Sequence, residues 1–166
     1  MEAEFQISRE DYVSAGLLNG EMSRKAKYIH YAIDTLLIFL GVVALYVDKV
    51  IWAGGLIGAA IGGNLLPYAL RGLYVPWYLK RHYEKYTVVK KPILIFLLDD
   101  GVKFTSSSGA GFLKWSEIHH WRENDSLILI YLAPGMYHII PKRIEELHFP
   151  INGLKESLVE HVGVAI

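Results

Sequence analysis

The sequence has no cysteine, so disulfides and thiolate metal ligands are excluded. It also lacks an excess of charge of either sign, because 17 Lys and Arg residues balance 17 Asp and Glu residues. A chain without net charge has no global basic field for nucleic acid, so we expect no nucleic-acid partner. The first residues, Met1–Glu4, are acidic where a secretory signal would be basic, so no signal peptide is expected.

Recognisable catalytic and metal-binding patterns are missing as well. The seven histidines have no zinc-ligand spacing, and the neighbours His119 and His120 would point to opposite faces of a strand. Ser116 has no Gly-x-Ser-x-Gly context, and the stretch 106–111 does not end as a phosphate-binding loop does. We therefore expect no catalytic, cofactor-binding or metal-binding residues, no cofactor, and no enzymatic activity.

What the chain does contain is two long apolar stretches, within an overall hydrophobic content of 52%. Residues 28–47 and 50–70 are each long enough, at about 1.5 Å per helical residue, to cross the roughly 30 Å core of a bilayer. Only Asp48 and Lys49 separate them, which predicts a transmembrane helical hairpin within residues 28–72. The alternative is a helical hairpin buried inside a soluble protein, but the chain has little other apolar surface to cover it.

Basic residues flank the open end of this predicted hairpin. The turn has only Lys49, and the positive-inside rule therefore places both termini in the cytoplasm. The flanking residues are Arg24, Lys25 and Lys27 before the hairpin, and Arg71, Lys80, Arg81 and Lys85 after it.

Three glycines, Gly54, Gly58 and Gly62, recur at four-residue spacing in the second stretch. Small residues at this spacing let helix backbones approach closely. The spacing predicts packing against the chain's own first helix, with formation of a homo-oligomer as the alternative.

Asp34 and Asn64 are the polar side chains expected inside the membrane. Counted from the turn, both lie at about the same depth, roughly 20 Å by helix rise. Because a carboxylate in hydrocarbon needs a polar partner, we expect the two to form an intramembrane polar pair. A role for Asp34 in transport is the alternative.

Residues 73–91 form a basic and aromatic juxtamembrane segment, in which Lys80 and Arg81 are candidate contacts for anionic headgroups. Pro76 predicts a kink or break, so the segment either continues the second helix or lies along the membrane. Lys142 and Arg143 follow a strand at a predicted helix start, where they could hold an anion. A solvated corner is the alternative interpretation.

Residues 92–166 change to short apolar runs separated by turn residues, which predicts a mostly β domain with a C-terminal helix at 152–162. The N-terminal segment 1–27 contains a strand-like and then a helix-like stretch. The predicted fold is α+β: a transmembrane hairpin plus a small antiparallel sheet. The expected strands are 4–8, 92–98, 101–107, 112–115, 118–122, 126–132 and 136–140, with a loop at 108–111.

The order of these features is similar to that of the YcxB-like family, whose members are bacterial membrane proteins. The similarity rests on FQISREDYVSA, the two close spans, WYLKRHY, LDDGVKF, WSEIHHWREN and LILIYLAPGMYHIIPKR. The resemblance implies a multi-pass protein of the bacterial inner membrane, whose last domain resembles pleckstrin-homology-like sheets. It implies no catalytic residues.

These features favour a membrane-anchored cytoplasmic module that engages a protein or an anionic lipid at the inner leaflet. An immunity-type protein that neutralises a toxin acting at the inner membrane is the alternative. A channel or transporter subunit would have to form an oligomer, because two helices with one carboxylate do not line a pathway by themselves.

Overall fold

A computed structural model describes residues 2–166, so Met1 of the predicted N-terminal segment lies outside the description. The chain divides into two units. The N-terminal residues through Gly20 and the residues Tyr78–Ile166 form one, called the β unit here. Glu21–Trp77 form the other, the hairpin unit.

The β unit contains two antiparallel sheets. Four strands form the first in the order β1-β2-β3-β4, and three strands form the second in the order β5-β6-β7. The strands are β1 Glu2–Phe5, β2 Ile93–Leu98, β3 Gly101–Ser106, β4 Gly109–Lys114, β5 His120–Glu123, β6 Leu127–Ala133 and β7 Met136–Pro141.

The N-terminal strand belongs to the same sheet as the strands that follow the hairpin. β1 pairs with β2, with Phe5 opposite Ile93. The predicted division into separate segments 1–27, 73–91 and 92–166 therefore needs correction. The hairpin is an insertion within one β unit, and the pairing across it could not be read from local sequence because it joins residues far apart in the chain.

The first sheet turns sharply between β2 and β3. Gly101 has a φ of +159°, and a Cβ there would lie 2.1 Å from the Leu113 carbonyl oxygen. Only glycine fits this close approach. The predicted turn between strands 92–98 and 101–107 is confirmed, because Asp99 and Asp100 form a turn between β2 and β3. The predicted loop at 108–111 is wrong, because β4 begins at Gly109 and pairs with β3 despite its small residues.

The core lies between the sheets and the last helix. All of Leu127–Tyr131 on β6 is buried, as expected of a central strand covered on both faces. Helix α5 (Ile151–His161) confirms the C-terminal helix predicted at 152–162, and its Leu154 and Leu158 are fully buried. Trp121 is buried too, and its indole N–H donates to the Gly163 carbonyl at 2.7 Å.

Helix α1 (Arg9–Asn19) begins with a capping box. The Ser8 hydroxyl accepts from the Asp11 N–H at 3.0 Å, and Asp11 accepts from the Ser8 N–H at 2.8 Å. Each contact satisfies a backbone donor that has no partner within the helix. The helix thereby starts at Arg9 and accounts for the helix-like stretch predicted within residues 1–27.

The hairpin unit consists of α2 (Arg24–Tyr46) and α3 (Val50–Ala69), joined by a turn at residues 47–49. The contact between them is close at Gly41, where a Cβ would lie 2.7 Å from Ile57 Cγ1. Ala53 and Ala60 are buried along α3. Small residues on both helices thus form their interface.

The second helix continues beyond the predicted span. A π-helical turn, Leu70–Tyr74, follows α3 and leads into α4 (Val75–Lys85), so the helix extends over Val50–Lys85. Pro76 cannot donate to the carbonyl four residues before it, and a wider turn next to it accommodates the loss. Of the two predicted alternatives, continuation of the helix is therefore the one observed.

Candidate functional site

The polar side chains of the hairpin unit meet at one point. The Asn64 amide donates to Asp34 Oδ2 at 2.7 Å, and its Nδ2 also lies 2.9 Å from the Ala60 carbonyl. His30, one turn before Asp34, places Nε2 3.4 Å from the same carboxylate oxygen. Asp34 is 9% exposed, so this cluster supplies polar partners to a buried carboxylate. The two side chains predicted to face each other are hydrogen-bonded.

The glycine stripe of the hairpin unit lies elsewhere. A Cβ added to Gly54, Gly58 or Gly62 would meet no atom within 4 Å. Since α2 packs instead on the face that carries Ala53 and Ile57, the prediction that these glycines pack against the first helix is wrong. Glycines at four-residue spacing indicate a helix face without side chains, but the spacing does not indicate which helix packs against that face.

The predicted anion site at Lys142 and Arg143 is occupied by the chain's own groups. Lys142 Nζ lies 2.7 Å from Glu123 Oε2, and Lys155 reaches the same oxygen at 3.0 Å. Burial by itself raises the pKa of Glu123, but hydrogen bonds from the two lysines outweigh it and lower the pKa. Lys142 therefore acts as an internal counter-ion.

Arg143 holds the N-terminal segment to the end of β7. Its guanidinium pairs with the buried Asp11 carboxylate and donates to the Gln6 carbonyl at 2.9 Å. The hydrogen bond to Asp11 raises the pKa of Arg143. The anion for which the sequence provides a site is thus a carboxylate from α1, and this partner is visible only once the chain is folded.

Lys80 and Arg81 lie on the exposed side of α4. The opposite side of α4 packs on the N-terminal part of the β unit: Leu79 covers Gly16, the Tyr83 hydroxyl donates to the Ile7 carbonyl at 2.8 Å, and His82 stacks on Tyr12. Packing of this apolar side leaves the basic side directed away from the β unit. Lys80 and Arg81, the two candidate headgroup contacts, therefore lie next to each other on the exposed side of α4.

Sequence reasoning missed an aromatic pocket in the β unit. Its lining comes from α1, the 3₁₀ turn Thr87–Lys90 and strands β2, β3 and β7, and its volume is about 350 Å³. Contributors so distant in the chain leave no local sequence signal. The pocket side chains include Tyr12, Tyr86, Phe104, Tyr137 and His138.

Within residues 2–166, no group of three or more His, Asp or Glu side chains is placed to hold a metal ion. His119 and His120 are in contact through their Nδ1 atoms at 2.7 Å, and His120 stacks on Tyr131. Burial, followed by the nearby His119 and Arg122, lowers the pKa of His120. This pair has no third ligand beside it.

Comparison with known proteins bears on the middle of the β unit. The comparisons with curated proteins and with solved structures gave no match. Residues 97–146, which run from the end of β2 through β7 into the Lys142–Leu147 turn, match the family model described as YcxB-like protein. The resemblance drawn from the sequence is confirmed by this match over residues 97–146.

Proposed function

We propose that this chain is a membrane-anchored binding module whose hairpin unit crosses the bilayer and whose α4 engages anionic lipid headgroups. The observation that carries the proposal is the exposure of the two long helices. Only 17% of the most apolar stretch of the first helix and 11% of that of the second are buried within the protein. A core helix of a soluble protein would be mostly covered by its own chain, so this apolar surface needs another partner.

The fold supports the proposed sidedness. β1 precedes the hairpin and β2 follows it, and both belong to one sheet. A sheet cannot be divided by a bilayer, so the two ends of the hairpin unit lie on the same side of any membrane that it crosses. The basic residues at these ends favour the cytoplasmic side. Together with the resemblance to the YcxB-like family, this supports the inner membrane of a bacterium as the proposed location.

The lipid contact is assigned to α4. Lys80 and Arg81 are exposed, and Trp77 and Tyr78, half-exposed just before them, are residue types that favour the headgroup region. Each cation near an anionic surface contributes about 1 kcal/mol of attraction. Because Lys142 and Arg143 are paired within the β unit, we propose that they contribute structure rather than lipid contact.

The β unit is compatible with the expected pleckstrin-homology-like arrangement. It has a four-stranded and a three-stranded antiparallel sheet, and a helix follows the last strand. A protein partner, an immunity-type role and a channel-forming oligomer stay predictions from the sequence, because no described contact bears on them.

The lipid contact can be tested by native mass spectrometry of the full chain released from mild detergent. We expect the wild type to retain phosphatidylglycerol over phosphatidylethanolamine, and Lys80→Gln/Arg81→Gln to lose most of that preference. The matched control, Lys103→Gln/Lys114→Gln, removes two cations from the β unit and should retain the preference for phosphatidylglycerol. Equal retention by the wild type and the α4 variant would contradict the assignment.

A further inference from the structure

The aromatic pocket of the β unit has the size of a small-molecule site. Its volume of about 350 Å³ lies within the range of ligand pockets, which is roughly 300–1,000 Å³. Tyr86 and Met136 are about half exposed and form its rim, whereas Ile139 is buried at its base. The pocket is lined on one side by Tyr86, which follows α4, and on another by β7.

One wall of the pocket is flat. The imidazole of His138 stacks on the ring of Phe104, with centroids 4.3 Å apart and planes inclined by 5°. Ile93 and Val89 add aliphatic surface. A planar wall beside aliphatic surface favours a planar apolar group over a bulky aliphatic one.

Three residues of this lining carry polar groups without a protein partner. Among the described residues, the hydroxyls of Tyr86 and Tyr137 and the ring nitrogens of His138 have no hydrogen bond. The Tyr12 hydroxyl, by contrast, is engaged with His82 Nδ1 at 2.8 Å. Unpaired polar groups that converge on an apolar pocket are what a ligand with matching acceptors would satisfy.

Two of these groups, His138 and Tyr137, are uncharged near neutral pH. Burial lowers the pKa of His138, and burial followed by the neighbouring Tyr131 and Tyr12 raises the pKa of Tyr137. The lining contains no Asp, Glu, Lys or Arg side chain among the described residues. A bound cation would have aromatic rings without a carboxylate, and a bound anion would have hydroxyl donors without a cation.

We propose that this pocket binds an uncharged, planar aromatic compound that carries a carbonyl or similar acceptor, with its ring against the Phe104–His138 stack and its acceptor at the Tyr86 and Tyr137 hydroxyls. The inference is independent of the proposed membrane function, because it rests on the geometry of the β unit alone. It adds a small-molecule site to a chain for which the sequence predicts none.

Photolabelling of the full chain in lipid nanodiscs tests this proposal with three probes of one shape. Benzophenone is a neutral aromatic ketone, 4-benzoylbenzoate is its anion counterpart, and 4-benzoylbenzyl trimethylammonium is a cation counterpart. After irradiation, mass spectrometry locates the labelled peptides. At equal free concentration, we expect the neutral ketone to label residues 86–93 or 135–139 at least about tenfold more than the anion, whose charge is not compensated in this lining. Aromatic rings attract a quaternary ammonium, so labelling by the cation as strong as that by the neutral ketone would overturn the assignment of an uncharged ligand.

Removal of the two donors supplies the second comparison. Tyr86→Phe/Tyr137→Phe should lower labelling of the pocket by the neutral ketone about tenfold, the loss expected for two hydrogen bonds. Tyr28→Phe/Tyr46→Phe, the same change on the exposed hairpin unit, should leave it unchanged. Equal labelling by all three probes, no labelling of the pocket peptides, or undiminished labelling of the double variant would overturn the proposal. The comparison of the three probes uses the natural chain, so it tests the proposal even if the double variant is unstable.

Discussion

The two units of this protein distribute polar and apolar side chains in opposite ways. In the β unit the apolar residues are inside: Ile95, Ile130 and Leu154 have no exposed surface. In the hairpin unit the apolar residues are outside, and Ile51 is 91% exposed while Asp34 is buried. The first distribution is the one found in water-soluble domains. The second is the one expected of helices in hydrocarbon, which agrees with the proposed membrane anchoring.

Each unit buries one carboxylate, and the partners differ. Asp11 in the β unit is paired with the Arg143 guanidinium and accepts from the Ser8 N–H. Asp34 in the hairpin unit accepts from the Asn64 amide, with the His30 ring beside it. The Arg143 side chain is 45% exposed, so burial removes only part of its hydration while it pairs with Asp11. Inside hydrocarbon, an amide donor carries a smaller desolvation cost than a second charge.

The largest expected effect comes from removing the hairpin unit. A chain in which a short Gly/Ser linker joins Gly20 to Tyr78 should be soluble without detergent, because the β unit keeps all seven strands. The two ends are close enough to join, since a Cβ on Gly16 would lie 2.4 Å from Leu79 Cδ1. The full chain should sediment with membranes and resist alkaline carbonate. Sedimentation and circular dichroism of both chains check this.

Two results would break the comparison between the units. A full chain that stays dispersed in buffer without detergent would show that its exposed helices do not need hydrocarbon. A linked chain that aggregates or lacks β structure would show that the β unit depends on the hairpin.

The next effect concerns the buried carboxylate of the β unit. Arg143→Ala leaves Asp11 buried without its cation, and half-exposure of the arginine reduces the usual cost of breaking a buried pair to about 2 kcal/mol of unfolding free energy. Lys155→Ala is the matched control and should cost less than about 1 kcal/mol, because Glu123 keeps Lys142. Urea unfolding followed by tryptophan fluorescence measures both. Equal losses of unfolding free energy in the two variants would mean that pairing of Arg143 with Asp11 contributes no more than pairing of Lys155 with Glu123.

Two glycines distinguish the inner and outer faces of the hairpin unit. Gly41→Val places methyl groups against Ile57, and overpacking of this kind costs about 1–3 kcal/mol. Gly58→Val meets open space and should leave the thermal stability of the detergent-solubilised chain unchanged. If copies of the chain pair through the glycine stripe, Gly58→Val will instead lower the mass measured by light scattering. A loss of stability in Gly58→Val without a change in mass would contradict the observed helix contact.

A smaller effect is expected at the polar cluster of the hairpin unit. Asn64→Leu removes the donor to Asp34 and should cost about 0.6 kcal/mol and at most about 1.7 kcal/mol, the average and the maximum measured for hydrogen bonds between membrane helices. Leu65→Ala, on the exposed side of α3, should cost less in detergent. Thermal unfolding of the two variants in the same micelle provides the comparison. An Asn64→Leu variant as stable as the wild type would rule out a stabilising role for the pair.

Much of the fold could be predicted because its signals are local. The turn before Gly101 and the C-terminal helix α5 each depend on residues within a few positions of one another. The depth match of Asp34 and Asn64 was also predictable, because helix rise converts position into depth when the turn is short.

The errors have the opposite origin. Pairing of β1 with β2 across the hairpin, the Arg143–Asp11 ion pair and the aromatic pocket all join residues far apart in the chain. Periodicity assigned a small-residue face to α3 but could not say that Ala53 and Ile57 would face α2. Sequence therefore predicts elements and depths here, whereas the partners of charged and aromatic side chains required the folded chain.

The smallest expected effect is a pH dependence confined to the β unit. Burial lowers the pKa of His138, so below its usual value of about 6.5 the unfolded chain binds a proton that the folded chain does not. Above that pH, His138 therefore does not lower the free energy of unfolding. As the pH falls towards the folded pKa, proton binding by the unfolded chain lowers this free energy progressively. His138→Phe keeps a ring on Phe104 and should flatten the decline in stability between about pH 7 and pH 5. Urea unfolding of both chains across this range measures the slope, and an unchanged slope in His138→Phe would assign the decline to another group, of which His120 is the first to test.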